Sequence, residues 1–116
     1  MPTIYGIPNC DTMKKARAWL AENGVDYRFH DYRKVGIDLA RLQVWGSAVG
    51  WETLLNRRGT TWRKLDEDVR ADVDRDSALQ LMIDNPSIIK RPVLELDDGR
   101  YLVGFKADDY QQAFGN

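Results

Sequence analysis

The single cysteine of this 116-residue chain is the residue type best suited to nucleophilic chemistry. Cys10 follows a turn rich in glycine, proline and asparagine. Before the turn, β-branched and aromatic residues predict a strand over residues 3–5, and after it apolar spacing predicts a helix over residues 11–22. A helix start offers free backbone N–H groups and the positive end of the helix dipole, which favour an anion. The Cys10 thiol is therefore predicted to ionise readily, and the thiolate is the nucleophilic form.

Two interpretations of Cys10 remain open on local chemistry. Free cysteines are commonly buried and behave as small hydrophobic residues. Here the neighbours Asn9, Asp11 and Thr12 are polar, and Lys14 adds positive charge one turn into the helix. These neighbours favour the nucleophile interpretation over a structural cysteine.

Charge and hydropathy exclude several classes of protein. The net charge is −1, with acidic and basic residues interspersed, whereas nucleic-acid and membrane-surface binders carry a basic excess. No apolar run approaches the roughly 18 residues that span a bilayer, and the first residues lack the apolar core of a signal peptide. We therefore expect neither nucleic acid nor membrane among the partners.

The sulfur and imidazole content also limits the chemistry. One cysteine forms no internal disulfide, which fits a reducing cytoplasm, and it builds neither a Cys-x-x-Cys redox pair nor a metal cage. His30 is the only histidine and lies in the middle of a strand-like pattern, so we interpret it as a structural or surface residue rather than a general base. No metal site is expected.

The pattern of elements predicts an α/β fold with a helical insertion. A second strand over 27–32 completes a βαβ unit, so strands one and two should be parallel. Residues 36–86 are expected to be helical, and after them a hairpin around Asp97-Asp98-Gly99 and a closing helix over 107–114 give ββα. This is the thioredoxin-like, or glutaredoxin-like, four-stranded mixed sheet, predicted here as one domain over residues 1–116.

Within the insertion, helices are predicted over 38–49, 51–55 and 76–84, and residues 56–65 as a basic loop. Arg57 and Arg58 in that loop indicate either an anion or partner surface, or a solvated connection that packs Trp62 on the core. The run is too short and isolated to indicate a nucleic-acid site.

Arg91 precedes Pro92 at the start of the third predicted strand. In a thioredoxin-like fold this point lies beside the cysteine loop, and the peptide bond before such a proline is usually cis. Arg91 would then offer Cys10 a planar, permanently charged donor group. The alternative is that Arg91 is a surface charge flanking a strand.

The sequence resembles the arsenate reductase (ArsC) family, with the greatest similarity to its YffB branch and a further similarity to Spx-type regulators. The resemblance covers essentially the whole chain. The segments on which the resemblance rests are residues 4–12, 14–16, 31–32, 51–55, 58–65 and 88–92.

The resemblance implies a thioredoxin-like fold and, in part, a site. Family members that depend on glutathione and glutaredoxin attack arsenate with a cysteine after the first strand, next to three arginines. Cys10 and Arg91 match the cysteine and one arginine, while the other two arginines fall at Asn56 and near Gly104-Phe105. Spx-type regulators bind RNA polymerase and usually carry a Cys-x-x-Cys switch, whose second cysteine is replaced here by Met13.

Together these features predict a glutathione-dependent monothiol oxidoreductase in which Cys10 forms a mixed disulfide with glutathione. Glutathione is the expected co-substrate, glutaredoxin a potential partner, and no bound cofactor is expected. Two alternatives are a glutaredoxin-coupled arsenate reductase and an Spx-like, non-catalytic regulator that contacts RNA polymerase. The residues expected to bind substrate or glutathione are Asn9, Asp11, Thr12, Lys14, Arg57, Arg58, Arg91 and Pro92.

Overall fold

The computed structural model describes residues 1–115, which form two compact units. One unit contains Met1–Val35 and the described residues from Arg91 onward, and the other contains Gly36–Lys90. The helical segment expected over residues 36–86 lies within the second unit. That the whole chain acts as one domain stays a prediction.

The first unit is built on a four-stranded sheet with the order β2-β1-β3-β4. Its strands are β1 (Thr3–Gly6), β2 (Arg28–Asp31), β3 (Val93–Glu95) and β4 (Tyr101–Val103). As predicted from the βαβ pattern, β1 and β2 are parallel, while β3 is antiparallel to both β1 and β4. The mixed sheet expected from the sequence is therefore confirmed.

Seven helices occur in the described part of the chain, with a short 3₁₀ turn at Pro86–Ile88. The helices are α1 (Asp11–Glu22), α2 (Leu39–Val49), α3 (Trp51–Leu54), α4 (Thr60–Lys64), α5 (Glu67–Ala71), α6 (Arg75–Asp84) and α7 (Ala107–Phe114). The bounds predicted for α1 and α7 are confirmed. No helix among residues 1–115 is long and apolar enough to cross a membrane.

The core of the first unit forms where one face of the sheet meets α1 and α7. In register, Ile4 pairs with Phe29 and Leu94, and Leu94 pairs with Leu102, so alternate residues of the four strands share a face. The buried residues of this core are Ile4, Met13, Ala16, Leu20, Leu94, Leu96 and Tyr110. The helical spacing of the three α1 residues in this set turns one side of α1 onto the sheet.

The second unit buries its own apolar residues between short helices. Asp38 caps α2 by accepting a 2.8 Å hydrogen bond from the Arg41 N–H, and Asp74 and Ser77 form a capping box that starts α6. The buried residues of this unit are Leu42, Trp45, Leu54, Leu55, Trp62, Ala78, Leu79, Met82, Ile88 and Ile89.

Part of the prediction for residues 56–65 is wrong, because α4 occupies Thr60–Lys64 within the expected basic loop. Two β-branched threonines and the preceding Gly59 obscure the helix in the sequence. Burial of Trp62 favours this helix, and such tertiary packing overrides a weak local propensity. The short helix α5 was also not expected, and it buries no side chain that a periodic pattern would reveal.

Gly6, the last residue of β1, is required by a close contact with α1. A Cβ atom at Gly6 would collide with the Sδ atom of Met13, and Met13 is fully buried, so its side chain cannot turn away without displacing the core. We expect Gly6→Ala to lower the free energy of unfolding by about 1–3 kcal/mol through overpacking. Urea denaturation measures this change.

Gly46→Ala is the matched control, because a Cβ there meets its nearest atom, in Leu79, at 3.8 Å, an ordinary contact. Alanine in the interior of α2 should stabilise the protein by about 0.5–1 kcal/mol. Equal stability of Gly6→Ala and the parent protein would contradict the close packing of Met13 on Gly6.

Candidate active site

Cys10 is the N-cap residue of α1, as its place in the sequence predicts. Its backbone is extended, with φ −110° and ψ 134°, and its carbonyl oxygen accepts a 3.0 Å hydrogen bond from the Lys14 N–H. The half-buried side chain packs at the edge of the core of the first unit. The thiol therefore combines partial access to solvent with a position at the positive end of a 12-residue helix.

Opposing influences set the ionisation of the thiol. Burial raises the pKa of Cys10, but the backbone N–H of Met13, the Arg91 side chain and the backbone N–H of Thr12 lower it, and the net pKa lies below that of an ordinary thiol. The two N–H groups point toward the sulfur without completing a side-chain capping hydrogen bond within the described chain. Their effect on the pKa is thus electrostatic stabilisation of the thiolate.

Arg91 reaches the thiol because of how β3 begins. The Arg91-Pro92 peptide bond is cis, which confirms the expectation from the fold. Pro92 is buried, and its carbonyl oxygen accepts a 2.8 Å hydrogen bond from the Gly104 N–H, so the start of β3 is fixed beside the end of β4. From this position the guanidinium group of Arg91 acts on the Cys10 sulfur both as a hydrogen-bond donor and as a charge.

The other predicted residues near Cys10 contribute unequally. Asn9 and Asp11 are exposed, and Thr12 is half-buried and acts on the sulfur through its backbone N–H. The Lys14 side chain is exposed and is not among the main groups that lower the Cys10 pKa. Lys14 supports the site instead through its backbone bond to Cys10.

Arg57 and Arg58 belong to the second unit, and their grouping with Cys10 stays a prediction. The guanidinium carbon of Arg57 lies 5.6 Å from the centroid of the Trp62 ring, a cation–π contact. The Arg58 N–H donates a 3.1 Å hydrogen bond to Asn56 Oδ1. Trp62 is buried, as the solvated-connection interpretation requires, and both arginine side chains remain exposed.

Tyr32 is a residue of this site that the sequence analysis did not single out. It follows β2 directly, and its backbone N–H donates a 3.2 Å hydrogen bond to the carbonyl oxygen of Gly6 at the end of β1. Burial raises the pKa of Tyr32, Arg91 lowers it, and the Cys10 thiolate raises it, so the phenol is near both groups. The signal in the sequence was its position, since parallel strands end at the same edge of a sheet.

His30 lies in β2 and packs on β1. It pairs in register with Tyr5, and the two ring centroids are 4.9 Å apart. The Tyr5 hydroxyl in turn donates a 3.0 Å hydrogen bond to Glu95 Oε2. His30 therefore packs on a neighbouring strand, in keeping with its interpretation as a structural residue.

A four-stranded mixed sheet, a thiol at the start of the first helix and a cis-proline before the third strand define a thioredoxin-like protein. Comparison with known families is more specific. The ArsC family matches residues 5–113, and the chain belongs to that family.

Relatives of similar sequence and structure are found on both the reductase-related and the regulator side of the family. The solved structure of the YffB protein is 58% identical, covers 97% of this chain and 98% of its own, and superposes with a TM-score of 0.93. An arsenate reductase (ArsC) related protein from Brucella melitensis is 57% identical over 99% of this chain and 95% of its own, with a TM-score of 0.79. The global transcriptional regulator Spx of Streptococcus pyogenes is 30% identical over 94% of this chain and 81% of the regulator.

The environment of Cys10 predicts a titration below that of an unperturbed thiol. Arg91→Ala should raise the Cys10 pKa, since it removes a donor and a positive charge from the thiolate. Arg57→Ala and Arg63→Ala should raise it less. Thiolate absorbance in the ultraviolet, followed against pH with Cys10→Ser as the blank, measures each value. Equal shifts in all three arginine variants would indicate a diffuse basic surface instead of a defined Arg91–Cys10 interaction.

Proposed function

We propose that this protein is a glutathione-dependent monothiol oxidoreductase with Cys10 as its nucleophile. The observation that carries the proposal is the lowered Cys10 pKa at the start of α1 beside Arg91. A lowered pKa increases the thiolate fraction of a partly accessible thiol, and the thiolate is the form that attacks disulfides and other oxidised groups. Glutathione is abundant in a reducing cytoplasm, which is where this chemistry would operate.

The cycle uses two thiol–disulfide exchanges. The Cys10 thiolate attacks one sulfur of a disulfide; the new bond to Sγ forms as the old sulfur–sulfur bond breaks, and the displaced sulfur leaves as a thiolate. With oxidised glutathione the product is a Cys10–glutathione mixed disulfide and one glutathione thiolate. In the second exchange a glutathione thiolate attacks the glutathione sulfur of the adduct, so that oxidised glutathione forms as the bond to Sγ breaks and Cys10 leaves as the thiolate. A net reduction results when the adduct came from a mixed disulfide of glutathione and a substrate thiol.

The resolving thiol must come from another molecule. The chain has no second cysteine, and the position three residues after Cys10 holds Met13, which is fully buried. Glutathione fits this requirement in charge as well as in chemistry. Its two carboxylates would pair with Arg91 and, in the predicted binding set, with Arg57 or Arg58. The backbone at Arg91-Pro92 would pair with the cysteinyl part of the tripeptide.

The remaining residues of the proposed binding set flank the nucleophile. Thr12 presents its N–H to the sulfur, whereas the exposed Asn9, Asp11 and Lys14 line the solvent side of the loop. These three side chains would contact a bound tripeptide rather than tune the thiol. Glutaredoxin, which also works by thiol–disulfide exchange, is the protein partner that this chemistry suits.

A second candidate function is supported by the 30% identity to the Spx regulator of Streptococcus pyogenes. In this function the region around Cys10 and the basic segment with Arg57 and Arg58 would bind a protein partner such as RNA polymerase without turnover. Stoichiometric capture of purified RNA polymerase with no thiol turnover would favour this function. A glutathione-dependent rate that disappears in Cys10→Ser would favour the oxidoreductase.

Oxidised glutathione should add one glutathione to the folded protein at Cys10. Intact-protein mass spectrometry should show a single increment in the parent protein and none in Cys10→Ser. Arg91→Ala should form the adduct several-fold more slowly, because less of its Cys10 is thiolate at neutral pH.

Two outcomes would contradict different parts of this proposal. If Cys10 resists glutathione but is readily reduced from a mixed disulfide by a dithiol protein, glutathione is not the co-substrate. If Cys10 resists every thiol reagent in the folded state, it is a structural cysteine and the oxidoreductase proposal is wrong.

Arsenate reduction with glutathione and glutaredoxin should be weak or absent. Arg91 alone aligns with the family's three arginines, and each missing charge-assisted hydrogen bond removes about 1.5–3 kcal/mol of anion binding. A coupled assay at saturating glutathione and glutaredoxin measures the turnover. Robust turnover, lost in Arg57→Ala or Arg58→Ala, would mean that one of these arginines replaces a missing donor.

A further inference from the structure

The hydroxyl group of Tyr32 is buried without a complete hydrogen bond. Tyr32 is 1% exposed, and no group among residues 1–115 meets hydrogen-bond geometry at its Oη atom. A buried hydroxyl left in this state costs about 1–3 kcal/mol, whereas a phenylalanine of the same shape would avoid that cost. A polar atom in such a place needs an explanation from its surroundings.

The position of Tyr32 relates it to the candidate active site. Its backbone bond to Gly6 holds the residue at the end of β1, four residues before Cys10. The guanidinium group of Arg91 lies close to two atoms, Oη of Tyr32 and Sγ of Cys10, and it favours the negatively charged form of each. Arg91 thus acts on both the buried phenol and the reactive sulfur, although no group meets full hydrogen-bond geometry at Oη among the described residues.

Tyr110 provides a comparison within the same unit. It is also fully buried, and its Oη atom also has no partner among the described residues. Burial alone raises the pKa of Tyr110, with no contribution from Arg91 or Cys10. The hydroxyl groups of Tyr32 and Tyr110 are therefore both buried without a hydrogen-bond partner among the described residues. The Tyr32 hydroxyl differs in lying beside the candidate active site.

We propose that Tyr32 is a positioning residue for Arg91, with its buried hydroxyl oxygen as a support that holds the guanidinium group beside the Cys10 sulfur. The proposal rests on the proposed function only in taking Cys10 as the reactive group. The arginine side chain has five N–H donors in a rigid plane, so one edge can face Oη while another faces Sγ. In this role the guanidinium group donates one hydrogen bond to Oη and keeps its other edge toward Sγ.

The Tyr32 oxygen suits this role because it stays neutral. Burial and the adjacent negative charges of Cys10 and Asp31 hold the pKa of Tyr32 above its ordinary value, so the phenol keeps its proton. A neutral oxygen accepts from Arg91 without neutralising its charge. Arg91 therefore remains a full positive charge for the thiolate and for a bound anionic substrate.

The test compares Tyr32→Phe with Tyr110→Phe, Arg91→Ala and the double variant Tyr32→Phe/Arg91→Ala. Iodoacetamide alkylation of Cys10, measured across pH, reports the thiolate fraction. Tyr32→Phe should move the pH–rate profile to higher pH and lower the rate at neutral pH by about threefold, less than Arg91→Ala does, because the charge remains but is less well placed. Tyr110→Phe should match the parent protein.

The double variant shows whether Tyr32 acts through Arg91. Once Arg91 is gone, the loss of the Tyr32 hydroxyl should change the profile no further, so the two effects should be fully non-additive. Additive effects would overturn the proposal, since Tyr32 would then act on Cys10 by itself. An unchanged profile in Tyr32→Phe would overturn it as well.

Stability separates positioning from a structural role. Tyr110→Phe removes a buried hydroxyl group without a hydrogen-bond partner among the described residues and keeps the ring, so its urea midpoint should equal or exceed that of the parent. Tyr32→Phe also removes the proposed interaction with Arg91, so its midpoint should lie below that of Tyr110→Phe while the protein stays folded. A lower midpoint for Tyr32→Phe together with an unchanged alkylation profile would make the hydroxyl structural and overturn the proposal. A shifted alkylation profile in a folded Tyr32→Phe protein supports it.

Alkylation involves no glutathione, so the two proposals can fail separately. If Cys10 forms no glutathione adduct while Tyr32→Phe still shifts the alkylation profile, the oxidoreductase function is wrong and the role of Tyr32 stands. If Tyr32→Phe forms the adduct at the parental rate with an unchanged profile, the role of Tyr32 is wrong and the oxidoreductase function stands.

Discussion

The pairing of β1 with two different neighbours is the constraint on which the site depends. β1 runs parallel to β2 and antiparallel to β3, so the end of β1, the end of β2 and the start of β3 meet at one edge of the sheet. Cys10 follows the first of these points, Tyr32 the second, and Arg91 precedes the third. Three residues far apart in the sequence thereby share one small region, and none of them lies within a strand.

The pKa of Cys10 is set by interactions that are individually modest and act in opposite directions. Burial opposes ionisation, so a thiol deeper in the core would be inert. Backbone N–H groups at the start of α1 and one arginine oppose burial, and each charge-assisted hydrogen bond contributes about 1.5–3 kcal/mol. Burial is the largest single contribution, yet the net pKa is lowered, so the backbone N–H groups and Arg91 together set the thiolate population.

Local signals in the sequence were sufficient for much of this structure. Gly24 adopts the left-handed conformation that its place after α1 predicts, with φ 68°, and Asp38 caps α2 as its position predicts. Cys10 was identified because a turn and a periodic helix flank it. Each of these features depends on neighbours within a few residues, which is the range over which residue pattern and capping chemistry act.

Features that depend on residues distant in the sequence were harder to predict from the sequence. The helix α4 is stabilised by burial of Trp62, which the composition of its own segment does not reveal. The role proposed for Tyr32 depends on Arg91, which lies 59 positions further along the sequence. A tyrosine at the end of a strand is usually a packing residue, and what distinguishes Tyr32 is that its buried hydroxyl group lies close to Arg91 and Cys10.

Met13, which packs against Gly6, affects how a partner could recognise the redox state of Cys10. Met13 stands where a Cys-x-x-Cys pair has its second thiol and Cys10 is the one cysteine of the sequence, so oxidation of Cys10 cannot form a disulfide within these 116 residues. Under the proposed function the oxidised protein would differ from the reduced one by a group added at Cys10. A partner that distinguishes them must therefore contact the added group directly, and isoelectric focusing would separate the two forms where a probe of folding would not.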